Sequence, residues 1–209
     1  MSEYFKSNLY LPFRVVACFS IIFALAACSS QEYPQVVDET SDYDYVIGAG
    51  DSLEIFVWGN QELSTTVTVR PDGKITTRLV EDIPASGRTS TQLAREIEEA
   101  YGKYVKSPVV SVIVNGFVGI PTQQVRVVGE ASKPLNVPYN KNMTLLDLMI
   151  SVGGLSDFAD GNKTVLVRSF GGKQSIYNLR VEDLIRDGDI SANTPLMPGD
   201  IIIIPEAWF

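Results

Sequence analysis

The chain has 209 residues, with 25 acidic against 17 basic side chains and no histidine. The absence of histidine excludes Ser-His-Asp and Cys-His catalysis and the usual zinc sites. The net charge of −8 disfavours nucleic acid, because that affinity comes largely from basic groups on phosphates. We therefore predict no nucleic-acid partner and no metal site. We also predict no cofactor and no enzymatic activity, with an enzyme that uses two carboxylates as the alternative.

Residues 1–27 are predicted to be a signal peptide for export. Lys6 and Arg14 give a weakly basic start, and residues 15–27 are almost wholly apolar. A helix of that length covers roughly 20 Å, which is shorter than the ~30 Å hydrocarbon core of a bilayer. The end of the segment, LAAC, resembles the lipobox of bacterial lipoproteins, whose cysteine becomes the acylated N-terminus. Cys28 is thus the predicted lipid attachment site, and an ordinary secretory signal is the alternative.

The segment that follows is predicted to be a flexible tether, so that residues 28–44 comprise the lipidated cysteine and a solvated linker. Residues 29–44 contain five acidic side chains, no basic one and no periodic apolar pattern. Such a linker reaches up to ~50 Å when extended. Ser29, rather than aspartate, follows the cysteine, and by the sorting habit of many Gram-negative lipoproteins this favours the periplasmic face of the outer membrane.

Residues 45–118 are predicted to form a first small α+β module. LEIFVW (53–58) alternates with strand period, and TTVTVRPDGKITTRLV (65–80) has two strand-like runs around Pro-Asp-Gly. Proline presets φ, aspartate caps the turn and glycine accepts positive φ, so this segment predicts a hairpin. PVVSVIVNGF (108–117) is rich in β-branched residues and predicts the closing strand.

A helix is predicted in this module over about 90–103. Thr89 and Gln92 fit a capping box, in which each side chain bonds to the backbone of the other. Apolar residues then recur at helical spacing on one face; they are Leu93, Ile97, Ala100, Tyr101 and Tyr104. The order strand, hairpin, helix, strand is typical of an α+β unit.

Residues 122–209 are predicted to form a second, β-grasp-like module. QQVRVVGE (123–130) and GDIIIIPE (199–206) predict strands, and KTVLVRSFGGKQSIYNL (163–179) predicts a hairpin around two glycines. Between them, TLLDLMISVGG predicts a helix with Thr144 and Asp147 as its capping box and a glycine at its end.

Each module contains a Gly-Asp pair directly before a strand. Gly50-Asp51 precedes SLEIFVW, and Gly199-Asp200 precedes IIIIPE. Internal duplication and the independent use of a common turn explain this echo equally well. Because these two aspartates and Asp72 lie beside glycine, we predict that they cap backbone groups in turns.

Several linked segments carry a family resemblance. YVIGAGDSLEIFVWGNQELSTTVTVRPDGKI and TSTQLAREIEEAYGKYVKSPVVSVIV resemble the N-terminal domain of polysaccharide export lipoproteins of the bacterial outer membrane. VRVVGEASKPLNVP, TLLDLMISVGGLSDFAD and NTPLMPGDIIIIPE resemble the soluble-ligand-binding β-grasp domain that follows in that family. One departure is Gly48-Ala49-Gly50-Asp51, where the family has Gly-Pro-Gly-Asp.

The resemblance implies structural roles for the residues of the family's turn motifs. These residues are Gly48, Gly50, Asp51, Pro71, Asp72, Gly73, Gly129, Gly153, Gly154, Gly199 and Asp200. For Asp51, Asp72 and Asp200, contact with sugar is the alternative.

The resemblance further implies a homo-oligomeric ring in the periplasm through which capsular or exopolysaccharide leaves the cell. It implies the polysaccharide chain and an inner-membrane chain-length regulator, or co-polymerase, as partners. Two alternatives stay open. One is a monomeric polysaccharide-binding or adaptor lipoprotein, and the other is a glycosidase that uses two carboxylates.

Phe56 and Trp58 lie on the strand face opposite Leu53 and Ile55. We predict that these two rings pack in the core against the helix or against a neighbouring subunit, with a sugar-stacking platform as the less favoured alternative.

Only Ala207, Trp208 and Phe209 follow IIIIPE, whereas long members of the family cross the outer membrane with a C-terminal amphipathic helix. Such a helix needs ~20 residues. The expectation is therefore that a separate outer-membrane β-barrel protein provides the passage, with the two terminal aromatic residues near the membrane interface.

Overall fold

The computed structural model describes residues 43–208. The predicted signal peptide, Cys28, nearly all of the tether and Phe209 lie outside the described residues. Helices and sheets are both present, which confirms the α+β class. The described residues contain two separate hydrophobic cores, one among residues 47–110 and one among residues 125–204.

The first core lies between a three-stranded sheet and one helix. β1 (Ser52–Val57) is the central strand and pairs antiparallel with β2 (Thr65–Thr68) and with β5 (Val110–Gly116). Every second residue of β1 is buried, as the alternating sequence predicted. These residues share the core with Leu93, Ile97 and Tyr101 of helix α1 (Ser90–Tyr101).

The predicted hairpin over 65–80 is wrong in its pairing. Its turn forms, because Gly73 N donates to Arg70 O at 2.8 Å and Arg70 N donates to Lys74 O at 2.9 Å. The second run does not extend along β2. Instead, Gly73 O accepts from the amides of Ala85 and Ser86, and β3 (Lys74–Ile75) pairs with β4 (Ile83–Pro84).

Helix α1 begins where the sequence predicted and ends slightly earlier. The capping box between Thr89 and Gln92 is present in both directions. The helix ends at Tyr101, where a turn closes from Tyr104 N to Tyr101 O at 2.8 Å. Tyr104 is exposed and does not belong to the buried stripe, because the backbone leaves helical geometry before reaching it.

The second core lies between a five-stranded sheet and a shorter helix. Its strands are β6 (Gln124–Gly129), β7 (Asn136–Pro138), β8 (Thr164–Phe170), β9 (Lys173–Leu179) and β10 (Ile201–Ile204). The strand order is β7-β6-β10-β8-β9. β10 runs parallel to β6 and antiparallel to β8. The predicted hairpin around Gly171 and Gly172 is confirmed as β8 and β9.

Helix α2 (Leu145–Val152) carries both of its predicted ends. Thr144 and Asp147 form the capping box, and Gly153 ends the helix in left-handed geometry. The Thr144 hydroxyl and amide donate to Asp147, which lowers the pKa of that carboxyl. The β-grasp arrangement stays a prediction; β7 and the π-helical segment Asp183–Asp187 were not predicted.

The end of the predicted tether contacts the second core. The Tyr43 hydroxyl donates to Tyr139 O at 3.1 Å, and the two rings meet edge to face. Gln123 bonds to the backbone of Asp44 and Val46 through its side-chain amide. Ordered contacts therefore begin before Tyr45, where the sequence predicted the first module to start.

Candidate functional site

Asp51 is fully buried and lies at the centre of the first module's turn motif. Its Oδ2 accepts from Gly48 N at 2.9 Å and from the Tyr45 hydroxyl at 2.6 Å. Its Oδ1 accepts from Val118 N at 2.7 Å and from Gly119 N at 2.9 Å. Burial, followed by the hydrogen bond to Asp51, raises the pKa of the Tyr45 hydroxyl, so that this group stays a donor. One carboxylate therefore joins the start of the module to the segment that leaves it.

The close approach of these two segments requires glycine at position 48. A Cβ atom built on Gly48 lies only 2.0 Å from Gly119 O, a backbone atom. A side chain here would force the leaving segment away from Asp51 and its amides.

Asp200 occupies the corresponding turn of the second module and is almost completely buried. Its carboxylate accepts from Met197 N at 2.8 Å. It also accepts from Arg168, whose Nε lies 3.0 Å from Oδ1 and whose Nη2 lies 2.7 Å from Oδ2. The bidentate guanidinium thus takes the place that amides and a tyrosine take around Asp51.

The two Gly-Asp turns share their backbone geometry. Each aspartate accepts a hydrogen bond from the amide three residues earlier and donates its own amide back to that residue's carbonyl. The glycine before each aspartate has a φ near +90°, which glycine adopts readily. In each turn the aspartate's carbonyl accepts from the amide of a neighbouring chain segment, Val69 or Arg126. This similarity does not distinguish duplication from a common turn.

The remaining motif residues lie at turns and helix ends rather than in one cleft. Pro71, Asp72 and Gly73 form the turn before β3, where Asp72 pairs with Arg70 and accepts from Lys74 N at 3.3 Å. Gly129 ends β6, and a Cβ on it would lie 2.0 Å from Ile204 O of β10. Gly153 and Gly154 follow α2.

Phe56 and Trp58 do not pack against α1. They lie on the solvent side of the sheet, 40% and 71% exposed, because the residues buried against the helix are Leu53, Ile55 and Val57 of the opposite face. The prediction of packing against the helix is wrong; contact with another subunit is untested.

The two rings line a surface groove of about 750 Å³, which we call the β1 groove. Its lining residues are Glu54, Phe56, Val57, Trp58, Gly59, Asn60, Gln61, Glu62 and Ser64.

A second cavity, of about 520 Å³, opens beside the N-terminus of α1. Tyr45 and Phe117 form part of its wall, with ring centroids 5.2 Å apart. The Thr89 hydroxyl that lines it is already engaged in the capping box, and the only charged lining residue is Asp44. The lining therefore offers no basic group to an anion.

Sequence reasoning missed Arg168 as the partner of Asp200, although the strand pattern held the signal. Thr164, Leu166 and Arg168 are the buried residues of β8 at period two. A basic residue at a buried position of an alternating strand requires an acidic partner. The partners of Asp51 carried no such signal, because three of its four donors are backbone amides.

No helix between residues 43 and 208 combines the length and apolar character needed to cross a bilayer. The same residues contain no cluster of carboxylates arranged to hold a metal ion. Trp208, predicted to lie near a membrane interface, is 94% exposed.

The described residues form a two-core α+β protein whose buried aspartates, Asp51 and Asp200, bind backbone amides and side chains of the protein itself. Residues 39–115 match the family described as polysaccharide biosynthesis/export protein, and residues 123–204 match the SLBB domain. The chain belongs to the polysaccharide export protein family. The matched families are families of non-enzymatic transport and binding proteins, in agreement with the prediction that the chain is not an enzyme.

The chain is similar to three curated relatives. The exopolysaccharide production protein ExoF of Rhizobium meliloti is 28% identical over 164 residues, which are 72% of this chain and 37% of that protein. The EPS I polysaccharide export outer membrane protein EpsA of Ralstonia nicotianae is 27% identical over 186 residues, covering 78% of this chain and 47% of EpsA. EpsA of Ralstonia solanacearum is 28% identical over 182 residues, with shares of 76% and 47%. The chain spans about half or less of the length of these relatives.

Proposed function

We propose that the chain is a lipid-anchored, ring-forming protein that exports capsular or exopolysaccharide at the periplasmic face of the outer membrane. The observation that carries the proposal is the consecutive match to an export family and an SLBB domain on one chain. A relative named as an exopolysaccharide production protein and two relatives named as polysaccharide export outer membrane proteins support it.

We also propose the domain division 45–118 and 122–209. Two separate hydrophobic cores support it. The connecting segment is hydrogen-bonded at both of its ends: Gly119 N donates to Asp51 Oδ1, and Val46 N donates to the Gln123 side chain. The proposed domains are therefore joined by a hydrogen-bonded segment.

Ring formation is supported by the sheet edges that no other strand of residues 43–208 pairs with. β2 and β5 end the first sheet, and β7 and β9 end the second. An unpaired edge presents backbone donors and acceptors that a strand of another copy can satisfy. β9 is the longest edge of the second sheet and carries Ile176, which is 67% exposed. We propose β9 as one of the contacts between subunits.

Ile176→Lys is expected to weaken self-association at least ~10-fold, because a charge on an edge strand opposes pairing. Sedimentation of the detergent-extracted full chain measures the change. Ile150→Lys is the matched control, since Ile150 is 72% exposed and lies on helix α2 rather than on a strand. A wild-type chain that stays monomeric at every concentration, with no cross-linked ladder in cells, would favour the adaptor alternative.

Export itself is tested by deleting the gene and restoring it in variant forms. The deletion is expected to abolish polymer at the cell surface, and the wild-type chain to restore it. Cys28→Ala is expected to lose palmitate labelling and outer-membrane retention, because several acyl chains hold a protein firmly in a membrane. No helix of residues 43–208 could span the membrane in their place. Cys18→Ala, within the predicted signal, is the control and keeps both.

Two results contradict this proposal separately. If polymer still reaches the surface of the deletion strain, the proposed export function is refuted. If the Cys28→Ala chain still incorporates palmitate and fractionates with the outer membrane, the proposed lipid anchor at Cys28 is refuted. Cross-linking of the restored chain tests the predicted inner-membrane and outer-membrane partners in the same strains.

A further inference from the structure

Two exposed aromatic rings line the β1 groove. Phe56 and Trp58 meet edge to face, with ring centroids 6.3 Å apart. The segment 59–64 completes the groove and is held to β1 by the hydrogen bond from Val57 N to Ser64 Oγ at 2.9 Å. The two rings therefore contact each other in the lining of the groove, beside a segment that is hydrogen-bonded to β1.

The polar side chains of the groove are available to a ligand. Gln61 and Glu62 are exposed and make no side-chain hydrogen bond to the rest of the described chain. Glu54 accepts from Asn115 Nδ2 through Oε2 at 3.3 Å, which leaves Oε1 able to accept. Carboxylates and amides offer two polar atoms in one plane, which matches a pair of neighbouring hydroxyls.

We propose that the β1 groove binds a saccharide chain of uncharged pyranose rings. A pyranose presents a face of C–H groups that packs on an aromatic ring, while its hydroxyls bond to planar polar side chains. Glu54 and Glu62 carry negative charge and no basic residue lines the groove, so an anionic sugar unit is repelled. The inference rests on the proposed export function for the source of the chain.

A second copy of the protein fits the groove less well. Covering Gln61 and Glu62 with protein removes water from an amide and a carboxylate, which is unfavourable unless matching donors arrive at both. A saccharide supplies hydroxyls along its whole length and leaves the groove partly hydrated. The rings of Phe56 and Trp58 then need only C–H groups packed against them, and each sugar ring provides such groups.

The chain's two tryptophans allow a direct measurement. Trp208→Phe, in the full detergent-extracted chain, leaves Trp58 as the only tryptophan and makes its fluorescence a reporter of the groove. The probes are cellohexaose, maltohexaose and fragments of the polymer that the producing bacterium secretes. At least one of them is expected to shift and quench the emission saturably in the millimolar range. Hexagalacturonate is expected to bind at least ~3-fold more weakly than the neutral hexamers, because of like-charge repulsion.

Variants in the wild-type background separate stacking from general structure. Affinity electrophoresis in gels that contain the binding polymer measures each one. Trp58→Ala is expected to weaken binding to the polymer at least ~5-fold, because one aromatic contact is lost. Trp58→Phe is expected to keep most of the wild-type affinity. Ile150→Ala, which removes an equally exposed apolar side chain from α2, is expected to change nothing. Unchanged far-UV circular dichroism shows that each variant is folded.

Three results overturn the saccharide groove without touching the export proposal. The first is the absence of a saturable fluorescence response to every probe. The second is equal binding by the wild-type chain and Trp58→Ala. The third is cross-linking of position 58 to a second copy of the chain in cells, which would make the groove a subunit interface. Each of these results can occur while the deletion strain loses export, so failure of the groove is distinguished from failure of the export proposal.

Discussion

Asp51→Ala is expected to lower the free energy of unfolding by about 3–5 kcal/mol, because it leaves several buried donors without an acceptor. The lost carboxylate accepts from three backbone amides and the Tyr45 hydroxyl. Water cannot replace it, since Asp51 is fully buried. Urea denaturation of the full chain, followed by circular dichroism, measures the change.

Asp51→Asn separates the charge from the shape of this side chain. The amide oxygen still serves one pair of donors, but the amide nitrogen then faces the other pair. We expect a smaller loss of about 1–3 kcal/mol. Asp44→Ala is the control, because Asp44 is exposed and its side chain makes no hydrogen bond in residues 43–208. An Asp51→Ala chain as stable as the control would refute the role given to this carboxylate.

The same substitution is expected to loosen the segment that leaves the first core. Val118 and Gly119 both donate their amides to Asp51 Oδ1. Their amide hydrogens should therefore exchange faster in Asp51→Ala, while those of β10 keep their wild-type rates. This pattern is expected because Asp51 acts on the connection between the two cores rather than on both cores equally.

The elements that the sequence predicted well are those whose ends are set by neighbouring residues. Thr89 with Gln92 and Thr144 with Asp147 each place a helix start, since a capping box involves only residues three apart. Gly171 and Gly172 likewise place the β8–β9 hairpin. These signals are local, so they do not depend on what the rest of the chain packs against.

The errors concern pairings that local signals do not determine. The turn at Pro71 to Gly73 forms as predicted, yet β3 pairs with β4 because Gly73 O bonds to Ala85 and Ser86. A turn fixes where the chain reverses, not how far the following strands stay together. The prediction that Phe56 and Trp58 pack against the helix is wrong for a related reason. Alternation placed them correctly on the face opposite Leu53, but only the structure shows that the described chain leaves that face uncovered.

The buried pair of Arg168 and Asp200 supports the edge of the second core at which β8 and β10 meet. The two side chains are 7% and 1% exposed. Arg168 Nη2 also donates to Pro195 O at 3.1 Å, so one guanidinium holds the Asp200 turn and the segment before it. Both charges are removed from water, and each depends on the other for compensation.

Arg168→Met is expected to cost about 3–5 kcal/mol of unfolding free energy, because it leaves the Asp200 carboxylate buried with Met197 N as its remaining donor. Adding Asp200→Asn removes the uncompensated charge and keeps an acceptor for that amide, so the double variant is expected to be more stable than Arg168→Met alone. Urea denaturation of both single variants and the double variant gives the coupling between the two positions. Arg186→Met is the control, because Arg186 is exposed and pairs with Glu182 at the surface, where such a pair contributes about 0–1 kcal/mol. A double variant that loses as much as the sum of the two single losses would show that the cost lies in packing rather than in the buried charge.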